Sequence, residues 1–127
     1  MEVNESVEKY KAQSVHYLEN AFKSMGAGDA EKAGEFLWGS LAEALKAVAA
    51  SKGIKLKAHW EIADYARDVA KQLGDKSILD AYRDASYLHS NFYEAGLRIE
   101  DVDVYAEDIR KAVGKLLSLI EEPAPNH

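Results

Sequence analysis

The stretch YRDASYLHSNFYE, residues 82–94, places an arginine, an aspartate and a histidine on what otherwise reads as an amphipathic helix. A histidine changes charge near neutral pH, and a guanidinium is a permanent, forked cation. Together they suit proton transfer beside a group that gathers negative charge. Six residues along a straight helix leave Arg83 and His89 about 120° apart around the axis and about 9 Å apart along it. One helix cannot easily aim both at one atom, whereas two copies packed about a two-fold axis could bring both pairs into a common cleft. Ser86 and Ser90 lie on the Arg83 side and keep it narrow and polar; with Tyr93 they are the candidates for contact with a bound ligand. His89 also follows a seam with Ile78, Tyr82, Ala85, Phe92 and Gly96. The plain alternative is therefore a core or interface histidine with one satisfied hydrogen bond, with Arg83 and Asp84 as solvated rim residues.

Other chemistries find less support. Di-iron bundles need Glu-x-x-His pairs pointing inward from separate helices, and the sequence has none; His16 with Glu19 is the reversed order on one helix. His16, His59, His89 and His127 are scattered without zinc spacing, so no metal and no cofactor is expected. Gly26, Gly28 and Gly34 make no phosphate-binding fingerprint. The WGSL at Trp38–Leu41 lacks the second glycine of a nucleophile elbow, so Gly39 and Ser40 read as small residues that let helices approach.

The elements that must position these groups are helices, since apolar residues recur at three- and four-residue spacing almost throughout. Five are predicted. The first runs from about Glu5 to Met25, with Val7, Tyr10, Ser14, Tyr17, Leu18 and Ala21 on one stripe. Gly26-Ala27-Gly28 ends it, and Asp29 is the N-cap of a second that stops near Ser51-Lys52-Gly53. A third spans about Ala58–Leu73 and closes at Gly74. A fourth, opened by Asp75 or Ser77, runs to about Ala95 before Gly96, and a fifth starts near Asp101. Acidic residues at its start suit the positive end of the helix dipole. Short linkers favour antiparallel up-and-down packing. Residues 1–121 are expected to form one domain, with 122–127, rich in proline, as a frayed tail. Tyr17–Leu45 resembles a single tetratricopeptide unit, but no second copy follows, and a solenoid needs three.

Composition narrows the partners. The 127 residues carry 47% apolar side chains, no cysteine and a net charge of -6. An acidic chain does not grip nucleic acid through a broad basic surface, although a small local phosphate site remains open. No stretch reaches the roughly 18–20 apolar residues of a membrane helix, and the polar N-terminus has no signal-peptide core. A cytoplasmic location is the resulting expectation.

Arg83-Asp84, four further residues and His89 together match the R-x4-6-H signature of HEPN domains, which the chain resembles. Asp84 fits the polar residue that commonly follows the arginine there. GDAEKAGEFLWGSLAEALKAVAASKG, residues 28–53, is similar to the turn and long Ala- and Leu-rich helix of such chains, and LHSNFYE, residues 88–94, resembles small archaeal PaREP-type proteins. The likeness covers about residues 5–121. It implies an all-α bundle of four to five helices that dimerises through the motif helices, and an RNA-directed protein. The corresponding activity is metal-independent endoribonuclease chemistry, with Arg83 and His89 as the catalytic pair and Asp84 as orienter. Neutral His89 would take a proton from a ribose 2'-hydroxyl, protonated His89 would serve the leaving 5'-oxygen, and Arg83 would stabilise the phosphoryl charge. The same resemblance also allows a non-catalytic module that binds a nucleotide, RNA, an antitoxin or a small nucleotidyltransferase.

Overall fold

In the computed structural model, which describes residues 2–90 and 98–120 (side chains from Glu5 onward), a side chain sets the start of the central helix. The first helix, α1 (Glu2–Gly26), ends in a tight turn in which Gly28 takes a left-handed φ of 75°. The Asp29 carboxylate then accepts from the Lys32 amide at 3.1 Å and caps α2 (Ala30–Ser51). This helix is buried almost all round. Leu37, Leu41, Leu45 and Val48 are sealed, and alanines fill the remaining faces, so α2 packs against each of the other four helices. Burying each such leucine is worth roughly 1.5–3 kcal/mol.

Small side chains bring α1 and α2 close. Ser14 Oγ donates to the Ser40 carbonyl and Ser40 Oγ donates to the Ser14 carbonyl, both at 2.8 Å. Beside this pair, a Cβ on Gly39 would stand 3.0 Å from the Tyr17 ring, so a larger residue there requires the ring to give by a few tenths of an ångström. The close-contact role read for Gly39 and Ser40 is what the crossing requires.

The loop 52–58 leads to α3 (His59–Leu73). Its start is held by Glu61, whose Oε1 accepts from the amides of Ala58 at 2.7 Å and Lys57 at 2.9 Å; these bonds lower the Glu61 pKa. Gly74, with φ of 63°, closes α3, and α4 (Lys76–Ser90) follows after Asp75. The Asp75 carboxylate accepts from the Ser77 amide and hydroxyl and from Lys115 Nζ at 2.8 Å, which ties this turn to α5 (Ile99–Ser118).

The result is a five-helix antiparallel bundle, with no strand among the described residues. No described helix is long and apolar enough to cross a membrane. The predicted boundaries hold to within a few residues for the first three helices and the fifth. The expected run of the fourth beyond Ser90 to Ala95, its seam positions Phe92 and Gly96, the candidate Tyr93 and the tail 122–127 lie outside the described residues.

Candidate functional site

The buried stripe of α4 is Ile78, Ala81, Ala85 and Leu88. His89 and Asp84 stand on opposite shoulders of that stripe, about 140° apart around the helix. The His89 shoulder meets α2. There His89 Nδ1 lies 3.0 Å from Glu35 Oε2 and 3.3 Å from Oε1. The imidazole is stacked on the Trp38 indole, with ring centroids 4.9 Å apart and planes 15° apart. His59, at the first position of α3, presents its ring edge-on to both, 5.7 Å from His89 and 5.6 Å from Trp38. Tyr82, two turns before His89, closes the cluster with its ring 5.6 Å from Trp38. Burial raises the pKa of its hydroxyl.

Helix periodicity explains the assembly. Glu35 and Trp38 are three residues apart on α2 and therefore share a face, as do Tyr82 and His89 seven apart on α4. Side-chain exposure of 34% for His89 and 35% for Glu35 shows that the imidazole is not sealed in the core. Nδ1 is committed to the carboxylate, and Nε2 makes no hydrogen bond with any described residue. A carboxylate on Nδ1 favours the tautomer that carries its proton there and leaves the lone pair on Nε2.

The other shoulder is acidic. Asp84 is half-buried, and its pKa is raised first by that burial, then by Asp108 of α5 and Asp80 of its own helix. No hydrogen bond joins Asp84 to Arg83 or His89. Among the described residues the carboxylate that meets the imidazole is Glu35.

Arg83 projects from the exposed face of α4 and makes no hydrogen bond or ion pair with any described residue. It is not brought to His89 within the chain. Between the two around the helix lie Ser86, half-buried, and Ser90, exposed, so the surface from His89 to Arg83 is lined by small hydroxyls. Among the described residues no group of three histidines or carboxylates is placed to hold a metal ion.

Sequence reasoning singled out Arg83, Asp84, Ser86, His89 and Ser90 and missed Glu35, Trp38 and His59. The one local signal for the first two was a glutamate three residues before a tryptophan on a helix rich in small and aliphatic side chains. Nothing local couples Glu35 to a residue 54 positions away.

The sequence model of the archaeal PaREP1/PaREP8 family matches residues 9–113, a span that contains Glu35, Trp38, His59, Arg83, Asp84 and His89. No protein with a curated description matches the chain. The fold is similar to that of a crystal structure of a protein from Sulfolobus solfataricus, 21% identical, with a TM-score of 0.75, covering 86% of this chain and 97% of the other. At that identity the likeness is one of fold.

Proposed function

Because the chain belongs to the archaeal PaREP1/PaREP8 family and holds His89 between a carboxylate and an indole, we propose that it is an RNA-directed protein of the HEPN type, a metal-independent endoribonuclease whose site is shared by two copies. The observation that carries this reading is the Glu35–His89–Trp38 arrangement. A histidine kept only for packing has no need of a half-exposed carboxylate on one nitrogen, with the second nitrogen unpartnered among the described residues.

The chemistry follows from those atoms. Glu35 accepts from Nδ1–H, which leaves the lone pair of neutral His89 on Nε2. Nε2 removes the proton of a ribose 2'-hydroxyl, the 2'-oxygen attacks the adjacent phosphorus, and the 5'-oxygen leaves with a proton from the protonated imidazole of the second copy. The products are a 2',3'-cyclic phosphate and a free 5'-hydroxyl. Arg83 of the second copy faces the phosphoryl oxygens, where its permanent charge stabilises the negative charge that builds there. The hydroxyls of Ser86 and Ser90 line the strip between the two groups, and Asp84 flanks Arg83 on the helix. Catalysis requires the 2'-hydroxyl, so DNA is not cleaved.

The test is incubation of the purified protein with mixed RNA in EDTA. Cleavage to 2',3'-cyclic ends, lost in His89→Ala and Arg83→Ala proteins that melt normally, is the expected result. Intact RNA at high protein concentration overturns the nuclease reading and leaves the non-catalytic HEPN module, which binds RNA, a nucleotide or a protein partner. Light scattering that shows a monomer at micromolar concentration removes the shared cleft.

A further inference from the structure

In a chain of net charge -6, the 17 residues from Ala44 to Trp60 contain no acidic side chain and four lysines. Three of these, Lys52, Lys55 and Lys57, sit on the loop between α2 and α3. All three are exposed, and none of their side chains makes an ion pair or hydrogen bond with a described residue. Glu61, which follows the loop, turns its carboxylate onto the loop's own amides.

Aromatic and apolar groups are interleaved with this charge. Trp60 is 68% exposed, the most open large apolar side chain described, and Ile54 is 44% exposed. An indole this open on the first turn of a helix adds little to the core and leaves most of its surface to a ligand. The loop also leads somewhere: His59, next to Trp60, has its ring 5.7 Å from His89. On its other flank Ile54, Lys55 and Leu56 border a cavity of about 370 Å³ whose far wall is Ser6, Tyr10 and Lys46. A recess of that size is roomy enough for a small ring system such as a nucleobase.

We propose that the loop 52–58 and Trp60 form a track for single-stranded RNA that leads its phosphates into the His89 site. The inference rests on the RNA-directed reading and specifies the form of the substrate. Lysines engage backbone phosphates as point charges without reading sequence, and an exposed indole stacks on any base. A single strand can present a base face to Trp60, whereas a duplex keeps its bases stacked inside. The track also accounts for RNA binding by an acidic protein, because its charge is local and acts within about one Debye length, roughly 8–10 Å.

A labelled 2'-O-methyl oligouridylate of roughly 12 nucleotides, a length within the usual single-strand site range, reads binding without cleavage. Replacing all three loop lysines by glutamine should weaken binding roughly tenfold or more at low salt and reduce the slope of log affinity against log salt by about 2. Trp60→Ala should weaken it roughly five- to a hundredfold, and Trp60 emission should be quenched in the native protein. All four positions are exposed, so folding is not at stake. Native affinity and slope in both variants overturn the track, as does failure of the unaltered protein to bind the oligonucleotide. Equal displacement of the RNA by polyglutamate also overturns it, since an acidic polypeptide would then be the occupant. Loop-dependent binding of unmodified RNA that remains intact in EDTA leaves the track standing and removes only the nuclease reading. Undiminished cleavage by the lysine variant does the reverse.

Discussion

The His89 imidazole lies face to face with the Trp38 indole, 4.9 Å between centroids, while its Nδ1 meets Glu35 at 3.0 Å. Two contacts of different kind, one flat and one directional, leave the ring little freedom to rotate. A ring so held offers its remaining nitrogen in one direction, which is the property a proton-transfer group requires.

Glu35→Gln tests that alignment. The amide keeps a partner for Nδ1 but removes the carboxylate's charge, so RNA cleavage should fall by roughly tenfold to a hundredfold, the usual effect of losing a group that orients a histidine. Thermal melting should change little, because Glu35 is half-exposed. Native kcat in this variant would show that the pair is structural.

Sharing of the site between chains is open to a mixing experiment. Arg83→Ala and His89→Ala proteins should each be inactive. Because the proposed site draws an imidazole from each copy, co-refolding equal amounts of native and His89→Ala protein leaves one quarter of the dimers with both imidazoles, so activity should be about one quarter of that of the same total amount of native protein. A value of one half would place the whole site within one protomer.

Asp84 should carry a cost in stability. Its pKa is raised by burial and by Asp108 and Asp80, so the folded chain favours its neutral form and the ionised form is destabilising at neutral pH. Asp84→Asn should raise the melting temperature at pH 7 by roughly 1–3 °C, the size expected of about half a kcal/mol in a chain of this length. The gain should shrink as the pH falls and the native carboxyl takes up its proton. A drop in melting temperature would refute this.

Asp75 should behave in the opposite sense. Its hydrogen bond from Lys115, then those from the Ser77 side chain and amide, hold its pKa at about 2 against an ordinary 3.8. Its stabilising contribution is therefore complete above the ordinary value and is lost as the pH falls from about 4 towards about 2. Melts of the native protein and of Asp75→Asn should differ at pH 6 and converge towards pH 2; a difference independent of pH would show that the Lys115 contact contributes nothing.

The reciprocal Ser14–Ser40 pair should hold the α1–α2 crossing. Ser14→Ala removes one buried hydroxyl bond and should cost about 1 kcal/mol. Ser40→Leu forces a larger side chain into the same crossing and should cost roughly 1–3 kcal/mol by overpacking. Urea denaturation of both proteins measures the difference.

The helices were legible in the sequence because the forces that set them are local. Asp29 caps a helix three residues from its own amide partner, Gly74 stops one by its own φ, and the apolar spacing marks each buried stripe. Gly39 and Ser40 were readable as contact residues for the same reason, since small size on a helix face has few other uses. His89 fell on the apolar seam, but its place at the edge of the core rather than inside it was not readable, because periodicity gives a direction around the helix and not the depth of the neighbour it meets.

By itself the sequence determined a helical bundle and put Arg83 and His89 on one helix at an angle from which a single straight helix cannot easily aim both at one atom. Only the tertiary structure decided which groups join His89. Glu35, Trp38 and His59 come from two other helices, and their meeting depends on how α2, α3 and α4 rotate and slide to bury their own stripes. That packing is a global optimum over many weak contacts, and no spacing within a single segment encodes it.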